Sequence, residues 1–351
     1  MRPSKHKYQR CMVMAGGGFR FSYYLGIYAA LSDAGKKPDV LLASCGGAIA
    51  AVIIQGLPDD VQRKAWVSSP EMYAYWCGMK SGPKASISGA LGAALYRRLF
   101  ASGASRIPDL HHDYLFEIPP GLPLPEAVEN DNKPAVAIIA GKLLYPESDI
   151  GKPRGPRPLF RETVFCSERT AMMLHEMTSP VSEMHLPRSA VATHIATDTS
   201  IPIAEAARAS VSDMFYFPCH HYQGSDYMGG VIDLFPIEIA HRIADQVVME
   251  VKSYYDASFS LPALRAVLGF DGNLRLSKVM QQHAEAWVDT ADMEKVLPLT
   301  QVEKKILILK NRIELVASQS YADYQQIIAA QWEYGYQRGI QAVKKIPQII
   351  A

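Results

Sequence analysis

The beginning of the chain carries the pattern that most constrains its fold. An apolar run at residues 11–15 ends in three glycines, and a helical pattern follows over residues 21–34. A second apolar run at residues 40–43 ends in a tight turn, and an apolar helical pattern continues over residues 48–54. Strand, glycine loop, helix, strand, turn and helix in this order predict an α/β domain with a parallel sheet.

The rest of the chain separates into an irregular middle and a helical end. Strand signals return at residues 136–140, 163–166 and 194–196, with a basic, proline-rich loop at 151–158. From about residue 275 the pattern is helical. We therefore expect an α/β domain at residues 1–250 and a helical extension at residues 251–351 that packs on it.

One segment of the extension has a regular apolar pattern. Five apolar residues are spaced four, three, four and three apart, which places them on one helix face: Val302, Ile306, Leu309, Ile313 and Val316. We favour a helix that packs on the core with a charged, solvated side. A membrane-surface helix and a dimer contact are the other interpretations.

Composition limits the partners and the compartment. A formal net charge of +1 gives no overall attraction to nucleic acid or to an anionic membrane, so we expect no nucleic-acid partner and any membrane contact to come from a local patch. The five cysteines are scattered, which predicts free thiols in a reducing compartment, the cytoplasm. His111, His112 and Asp113 lack further ligands at metal spacing, so we expect neither a metal nor a cofactor.

The glycine loop is the first candidate for chemistry. Gly16, Gly17 and Gly18 permit a tight turn that aims backbone N–H groups into a cleft, and the following helix adds the positive end of its dipole. Such a loop suits a phosphate or the oxyanion of an acyl intermediate. Position 21 is Phe, which breaks the dinucleotide-binding spacing. Arg20 either binds a phosphate or phosphopantetheine group or, as we favour, braces the loop.

Cys45 is the second candidate. It lies in the segment Ala43-Ser44-Cys45-Gly46-Gly47, between an apolar strand and an apolar helix. A nucleophile on a sharp strand-to-helix turn needs small neighbours, and a helix N-terminus favours the thiolate. The other interpretation of Cys45 is a buried structural cysteine beside a tight turn.

Together these motifs resemble the opening of the patatin-like phospholipases. In that family a glycine loop forms the oxyanion hole, a Gly-x-Ser-x-Gly turn carries the nucleophile, and an Asp-Gly-Gly turn carries its partner aspartate. A second block here is similar: Ala209-Ser210-x-Ser212, Phe217-Pro218, Tyr227-x-Gly229-Gly230 and Pro236. The resemblance implies a three-layer α/β fold, lipid acyl hydrolase activity, and an oxyanion hole at Gly16, Gly17, Gly18 and Gly46.

The departures from the family pattern concern the catalytic pair. Cys45 stands where the family has serine, and Met228 stands where it has aspartate. A thiol, with a pKa of about 8.5, is a better nucleophile than a hydroxyl at neutral pH, so Cys45 could act without the aspartate or with another partner. His220 and His221 are the first candidates for that partner, followed by Asp226 and Asp233.

Two functions follow from these features. The first is an acyl enzyme in which Cys45 attacks a lipid ester or the thioester of coenzyme A or an acyl carrier protein. We favour acyl transfer over plain hydrolysis, because a thioester intermediate passes its acyl group readily to other nucleophiles. The alternative is a catalytically inactive protein that keeps the fold and binds acyl or lipid ligands. The sequence does not indicate the oligomeric state.

Overall fold

A computed structural model describes residues 6–100, 103–126 and 132–346. This part of the chain contains thirteen strands: β1 Tyr8–Ala15, β2 Val40–Ser44, β3 Lys80–Ser81, β4 Phe116–Glu117, β5 Ala135–Leu143, β6 Phe160–Phe165, β7 Ala196–Asp198, β8 His220–Tyr222, β9 Ser225–Met228, β10 Ala244–Glu250, β11 Ala286–Val288, β12 Val302–Leu307 and β13 Arg312–Ala317. It also contains twelve α-helices: α1 Ser22–Asp33, α2 Gly46–Gly56, α3 Asp60–Val67, α4 Pro70–Cys77, α5 Ile87–Phe100, α6 Glu168–Leu174, α7 Ile203–Ser210, α8 Ile237–Ile243, α9 Ser260–Val267, α10 Gly272–Met280, α11 Met293–Val296 and α12 Tyr321–Val343.

Nine of the strands form one mixed, mostly parallel sheet. Its order is β11-β10-β1-β2-β5-β6-β7, and β9 pairs with both β5 and β8. The strands from β11 to β5 are parallel neighbours, whereas β6 and β9 run antiparallel to β5. The predicted α/β fold with a mostly parallel sheet is therefore confirmed.

Helices cover both faces of the sheet. The side chains of a strand alternate between these faces, so a single strand contributes to two hydrophobic cores. Met12 and Met14 of β1 belong to a core shared with α1, α2, α7 and α12. Cys11 and Val13 of the same strand belong to a second core, shared with α6, α8, α9 and α10. The fold accordingly has three layers, and the ends of β1 and β2 lie at its centre.

The prediction of a helix over residues 302–316 is wrong, because this segment is the β12–β13 hairpin. Its turn passes through Asn311, whose backbone is left-handed at φ 46° and ψ 43°, a conformation that Asn tolerates better than most residues. Ile313 and Leu315 alternate inward on β13 and are each 8% exposed. The apolar residues of this segment fit the period of two of a strand as well as the period of 3.6 of a helix. Contacts with residues distant in sequence decide which of the two structures forms.

Residues after 250 contribute directly to the main fold. Strand β11 extends the sheet beside β10, and α12 packs closely against α1. A Cβ added to Gly335 of α12 would lie 1.9 Å from the carbonyl oxygen of Tyr23 in α1. The extension expected at residues 251–351 thus combines helices with strands. No helix of the described segments is both long and apolar enough to cross a bilayer.

Candidate active site

Cys45 occupies a strained turn between β2 and α2. Its backbone angles are φ 52° and ψ −126°, a region that residues with a side chain rarely adopt. Its N–H donates to the Ser210 Oγ at 2.8 Å, and that hydroxyl donates to the carbonyl of Ile139 at 2.6 Å. The preceding Ser44 Oγ donates to the carbonyl of Asp233 at 3.1 Å. These buried hydrogen bonds hold the turn in its strained conformation.

Glycines surround the turn because the backbone segments lie too close for side chains. A Cβ on Gly46 would lie 2.4 Å from the Gly18 oxygen, and one on Gly47 would lie 2.1 Å from the Met14 oxygen. A Cβ on Gly230 would lie 2.9 Å from the Cys45 nitrogen. The small neighbours expected at Gly46 and Gly47 are therefore required by the contact between α2, β1 and the glycine loop.

The glycine loop presents two of its three amides to the site. All three glycines have positive φ, at 87°, 95° and 52° for Gly16, Gly17 and Gly18. The Gly16 N–H donates to the carbonyls of Ser44 and Met14, both at 3.1 Å, so it braces the loop and is not free to bind an oxyanion. Within the described residues, the amides of Gly17 and Gly18 donate to no protein acceptor. The expected oxyanion donor at Gly16 is thus corrected.

A buried carboxylate holds the helix that follows the loop. Tyr23 and Tyr24 of α1 both donate their hydroxyls to Glu250, at the end of β10. Lys252 forms an ion pair with the same carboxylate. The two tyrosine rings lie against Gly17, where an added Cβ would be 3.1 Å from Tyr24 and 3.3 Å from Tyr23. The cluster therefore fixes the position of the loop relative to the sheet.

Asp213 contacts the thiol, although it is not among the partners predicted from the sequence. The Cys45 Sγ lies 3.1 Å from the Asp213 Oδ2 and donates its hydrogen to it. A Cβ on Gly229 would lie 2.4 Å from the Asp213 Oδ1, so the carboxylate lies beside the Gly229-Gly230 turn even though Met228 precedes that turn. Asp213 directly follows Ser212 in the second sequence block. A search of the whole block, instead of its glycine turn alone, would have found it.

Burial sets the protonation of this pair. It raises the pKa of the Cys45 thiol well above its ordinary value, and the negative charge of Asp213 raises it further. Burial also raises the pKa of Asp213 to about 6, against the opposing effect of the hydrogen bond from Cys45. At neutral pH the pair is therefore a neutral thiol donating to a carboxylate. The thiolate expected from the helix N-terminus is corrected, because burial and Asp213 outweigh the backbone N–H of Gly46.

A cavity of about 580 Å³ lies over Cys45. Gly17, Gly18, Gly46 and Asp213 line its polar end, and apolar side chains such as Ile49, Trp76 and Phe217 line most of the remainder. Its size falls in the range of small-ligand sites. An apolar cavity that ends at a thiol and at free backbone amides suits an acyl chain whose carbonyl lies at the polar end.

The hairpin and Arg20 complete the wall of this cavity. Val302, Lys304 and Leu315, from the two strands of the β12–β13 hairpin, line it together with Arg20. The Arg20 Nε donates to the carbonyl of Leu297 at 3.1 Å. Arg20 therefore braces the segment that leads into the hairpin, whereas we had expected it to brace the glycine loop.

The histidines and Asp226 lie elsewhere. The His220 Nε2 is 2.8 Å from the Glu205 Oε2, and the His221 Nδ1 is 2.7 Å from the Asp226 Oδ1, across β8 and β9. None of the three predicted partners is among the described residues that line the cavity. The prediction that one of them is the partner of Cys45 is therefore corrected in favour of Asp213.

Asp233, the last of the predicted partners, has a different position. Its carboxylate is buried and forms an ion pair with Arg275 at 3.0 Å. Its backbone carbonyl accepts the hydrogen bond from Ser44, next to Cys45. Asp233 thus supports the turn through its backbone, and it does not line the cavity.

Comparison with known proteins points to one family. Residues 12–121 match the model of the patatin-like phospholipase family. No curated protein matches the chain. Among solved structures, the chain resembles the crystal structure of VipD from Legionella pneumophila with 12% sequence identity and a TM-score of 0.39, over 97% of this chain and 67% of that chain. The family match covers the segment that carries the glycine loop and Cys45, and a structural overlap this low adds no further argument.

Proposed function

We propose that this chain, which shares the glycine loop and nucleophile turn of the patatin-like phospholipases, is a lipid acyl enzyme with a Cys45–Asp213 pair. The single observation that supports this most is the 3.1 Å contact between the Cys45 Sγ and the Asp213 Oδ2 at the polar end of an apolar cavity. It gives the thiol a base although the family's Asp-Gly-Gly aspartate is replaced by Met228.

The first half-reaction follows from this geometry. Asp213 accepts the Sγ proton while Sγ attacks the acyl carbonyl carbon, and the amides of Gly17, Gly18 and Gly46 stabilise the resulting oxyanion. Collapse of the intermediate breaks the bond to the leaving alkoxide or thiolate, which takes the proton back from Asp213. The product is an acyl thioester on Cys45 and a released alcohol or thiol.

The second half-reaction regenerates the thiol. Asp213 removes a proton from a water or an acceptor, which attacks the thioester carbonyl, and the departing Cys45 thiolate takes that proton. We favour an acceptor other than water, because thioesters transfer their acyl group readily to amines, thiols and alcohols. Lipid esters and acyl thioesters are both donors that this chemistry permits.

A binding protein without catalysis is the competing function, and the loss of the family serine and aspartate favours it. Asp213 argues against it, since drift would not be expected to place a carboxylate at hydrogen-bond distance from the replacement nucleophile. Both functions use the same cavity, so only a covalent intermediate or turnover distinguishes them.

The test is intact-mass and peptide mass spectrometry after incubation with p-nitrophenyl esters and acyl-CoA of several chain lengths. We expect an acyl adduct on Cys45 and its loss in Cys45→Ala. Asp213→Asn should slow acylation by about 10²–10⁴-fold, the usual contribution of a general base. Cys77→Ala, which removes an exposed thiol, is the matched control and should acylate normally.

The result that would contradict the proposal is equally direct. If no donor of any chain length acylates a folded protein that binds acyl chains in a fluorescence titration, the protein is a binding protein. Adducts distributed over several cysteines, unaffected by Asp213→Asn, would show only ordinary thiol reactivity.

A further inference from the structure

The tip of the β12–β13 hairpin exposes large aliphatic side chains to water. Ile306 is 59% exposed, Ile308 is 80% exposed and Leu309 is 103% exposed. Single exposed apolar residues are common on proteins, but a protruding group of three in one turn is typical of an interaction site. The conformation of the turn does not require these apolar side chains, since Asn311 provides its left-handed residue.

Helix α5, whose first turn adjoins the hairpin turn, carries a second group of exposed apolar side chains. Leu91, Leu95 and Leu99 are spaced four apart, so they lie on one helix face, and they are 53%, 58% and 60% exposed. The first turn of α5 is joined to the hairpin turn, because Asn311 accepts hydrogen bonds from the amides of Ile87 and Ser88. We call these six side chains of the turn and of α5 the apolar surface.

Basic residues flank the apolar surface. Lys305 and Lys310 lie on either side of the hairpin turn and Arg98 lies on α5, all three exposed. Among the described residues none of them forms an ion pair with a carboxylate. Of the two acids of the hairpin, Glu314 lies directly opposite Lys305 and Glu303 lies opposite Val316, and neither is in the turn itself. Protruding apolar side chains within a basic rim suit an anionic lipid surface.

We propose that the apolar surface inserts into the interface of an anionic membrane and so brings the cavity to its lipid substrate. This inference rests on the proposed function, because the strands of the same hairpin supply Val302 and Leu315 to the cavity wall. A lipid surface fits better than a protein partner. Protruding side chains insert into fluid acyl chains without a complementary shape, whereas a protein would need a matching groove.

The test measures co-sedimentation with phosphatidylcholine vesicles that contain or lack phosphatidylserine. The full chain should bind the anionic vesicles more tightly, and added salt should weaken this binding. Ile308→Ser with Leu309→Ser should lower the vesicle affinity by about tenfold or more. Val61→Ser with Met184→Ser, which removes two exposed apolar side chains elsewhere, is the matched control and should bind as the original chain does.

Hydrolysis of a short, water-soluble ester separates this inference from the proposed function. The hairpin variant should keep that activity, because its side chains do not line the cavity, while losing activity on vesicles. A chain that hydrolyses the soluble ester but binds neither kind of vesicle would overturn the membrane surface alone. Two other results would also overturn the membrane surface, both with vesicle binding unchanged in the hairpin variant. One is a change from dimer to monomer, and the other is a loss of binding to an acidic carrier protein.

An independent cluster of side chains that could bind a metal is formed by residues that do not line the cavity. The His111 Nδ1, the Cys219 Sγ and a carboxylate oxygen of Asp226 all lie within 4.8 Å of one another. The Nδ1–Sγ distance is 3.2 Å, and the Glu147 Oε1 lies 3.4 Å from the same nitrogen. These groups come from three parts of the chain, because Cys219 directly precedes β8 and Asp226 lies on the adjoining β9. The His111 side chain is only 10% exposed.

We infer that these residues form a zinc site, with His111, Cys219 and Asp226 as ligands and Glu147 as the fourth. Thiolate, imidazole and carboxylate are the usual zinc ligands, and two ligands on one tetrahedral zinc lie about 3.5 Å apart, close to the observed Nδ1–Sγ distance. The amide of Cys219 already donates to the carbonyl of Leu110 at 3.1 Å. A zinc ion would therefore fasten the segment from Asp213 to Cys219 onto the neighbouring loop.

Metal analysis and thermal unfolding test this site. Protein purified without chelator should contain stoichiometric zinc, and zinc added after chelation should raise the unfolding temperature. Cys219→Ser should lose both effects, whereas Cys166→Ser, a partly exposed thiol outside the cluster, should keep them. Absence of zinc with no thermal shift would overturn the inference, as would a shift that Cys219→Ser leaves unchanged.

Discussion

Cys45 and Asp213 share one proton between two acidic groups, each neutral when protonated and negatively charged when it is not. Burial disfavours both the thiolate and the carboxylate, but it raises the thiol pKa well above its ordinary value and the Asp213 pKa only to about 6. Because the two groups lie in direct contact, they titrate as a pair. Between these two pKa values the proton stays on sulfur, and in the proposed mechanism it moves to Asp213 only when the sulfur attacks a carbonyl.

The pH dependence of acylation follows from this arrangement. Below a pH of about 6 Asp213 is protonated and cannot accept the thiol proton, so acylation should fall as the pH falls through that value. We expect kcat/KM for a neutral ester to rise through about pH 6 and to level off above it. A profile that rises only with thiol ionisation, well above pH 8, would contradict the role of Asp213.

Removal of the Asp213 charge should speed the alkylation of Cys45 by iodoacetamide, which is the opposite of its expected effect on acylation. The thiolate is the species that iodoacetamide modifies, so Cys45 should react more slowly below pH 7 than the exposed Cys77. Asp213→Asn removes a negative charge beside the thiol, which lowers its pKa. That variant should therefore alkylate faster at Cys45 while acylating more slowly, and a parallel loss of both reactions would indicate structural damage.

At the scale of elements, the turn and the glycine loop position each other through backbone contacts. Gly46 and Gly18 lie so close together that a Cβ added to Gly46 would be only 2.4 Å from the carbonyl oxygen of Gly18. Since backbone atoms cannot move aside as a flexible side chain can, the first turn of α2 and the loop keep a fixed separation. That separation sets the distance between the sulfur and the amides that would receive the oxyanion.

Gly46→Ala should therefore separate the two elements. We expect kcat/KM to fall by about a hundredfold, the effect of a displacement of about 1 Å in an active site. Gly92→Ala on α5 is the control, because its Cβ would meet nothing within 4 Å and Gly92 does not line the cavity. Steady-state kinetics on a soluble ester and circular dichroism measure both variants, and equal losses in the two would contradict the packing argument.

How far the sequence predicts the structure depends on how local each element is. The elements β1, α1, β2 and α2 lie where the apolar runs predict them, since each is bounded by glycines or a turn in its own segment. The β12–β13 hairpin does not, because its inward alternation depends on distant contacts such as that from the Ile313 amide to the Ala85 carbonyl. The position of Asp213 in the second block is visible in the sequence, but which carboxylate of that block contacts Cys45 depends on a pairing across 168 residues.

Helices α1 and α12, which are far apart in sequence, pack closely against each other. Helix α12 approaches α1 so closely that Gly335 and Gly26 touch the opposite backbone, where added Cβ atoms would lie 1.9 Å and 2.0 Å from carbonyl oxygens. The same α1 carries Tyr23 and Tyr24, which hold the glycine loop against Glu250. Stability of the helix pair and geometry of the site are thus coupled.

Gly335→Ala should destabilise the whole fold. The added methyl group would push α12 away from α1, at a cost of about 2 kcal/mol in the free energy of unfolding. Gly92→Ala is the matched control, because its Cβ meets nothing within 4 Å and alanine favours a helix over glycine by about 1 kcal/mol. Urea titration should show opposite shifts for the two variants, and a neutral Gly335→Ala would contradict the close packing.

The cavity wall also determines how much of the chain must be synthesised before the site can form. Cys45 lies near the start of the chain, yet Val302 and Leu315 of the hairpin close the cavity above it. During synthesis the nucleophile therefore leaves the ribosome long before the wall that would enclose an acyl chain. A chain interrupted before residue 302 would carry the Cys45 thiol without the hairpin side chains that enclose the cavity, and so without a complete binding site.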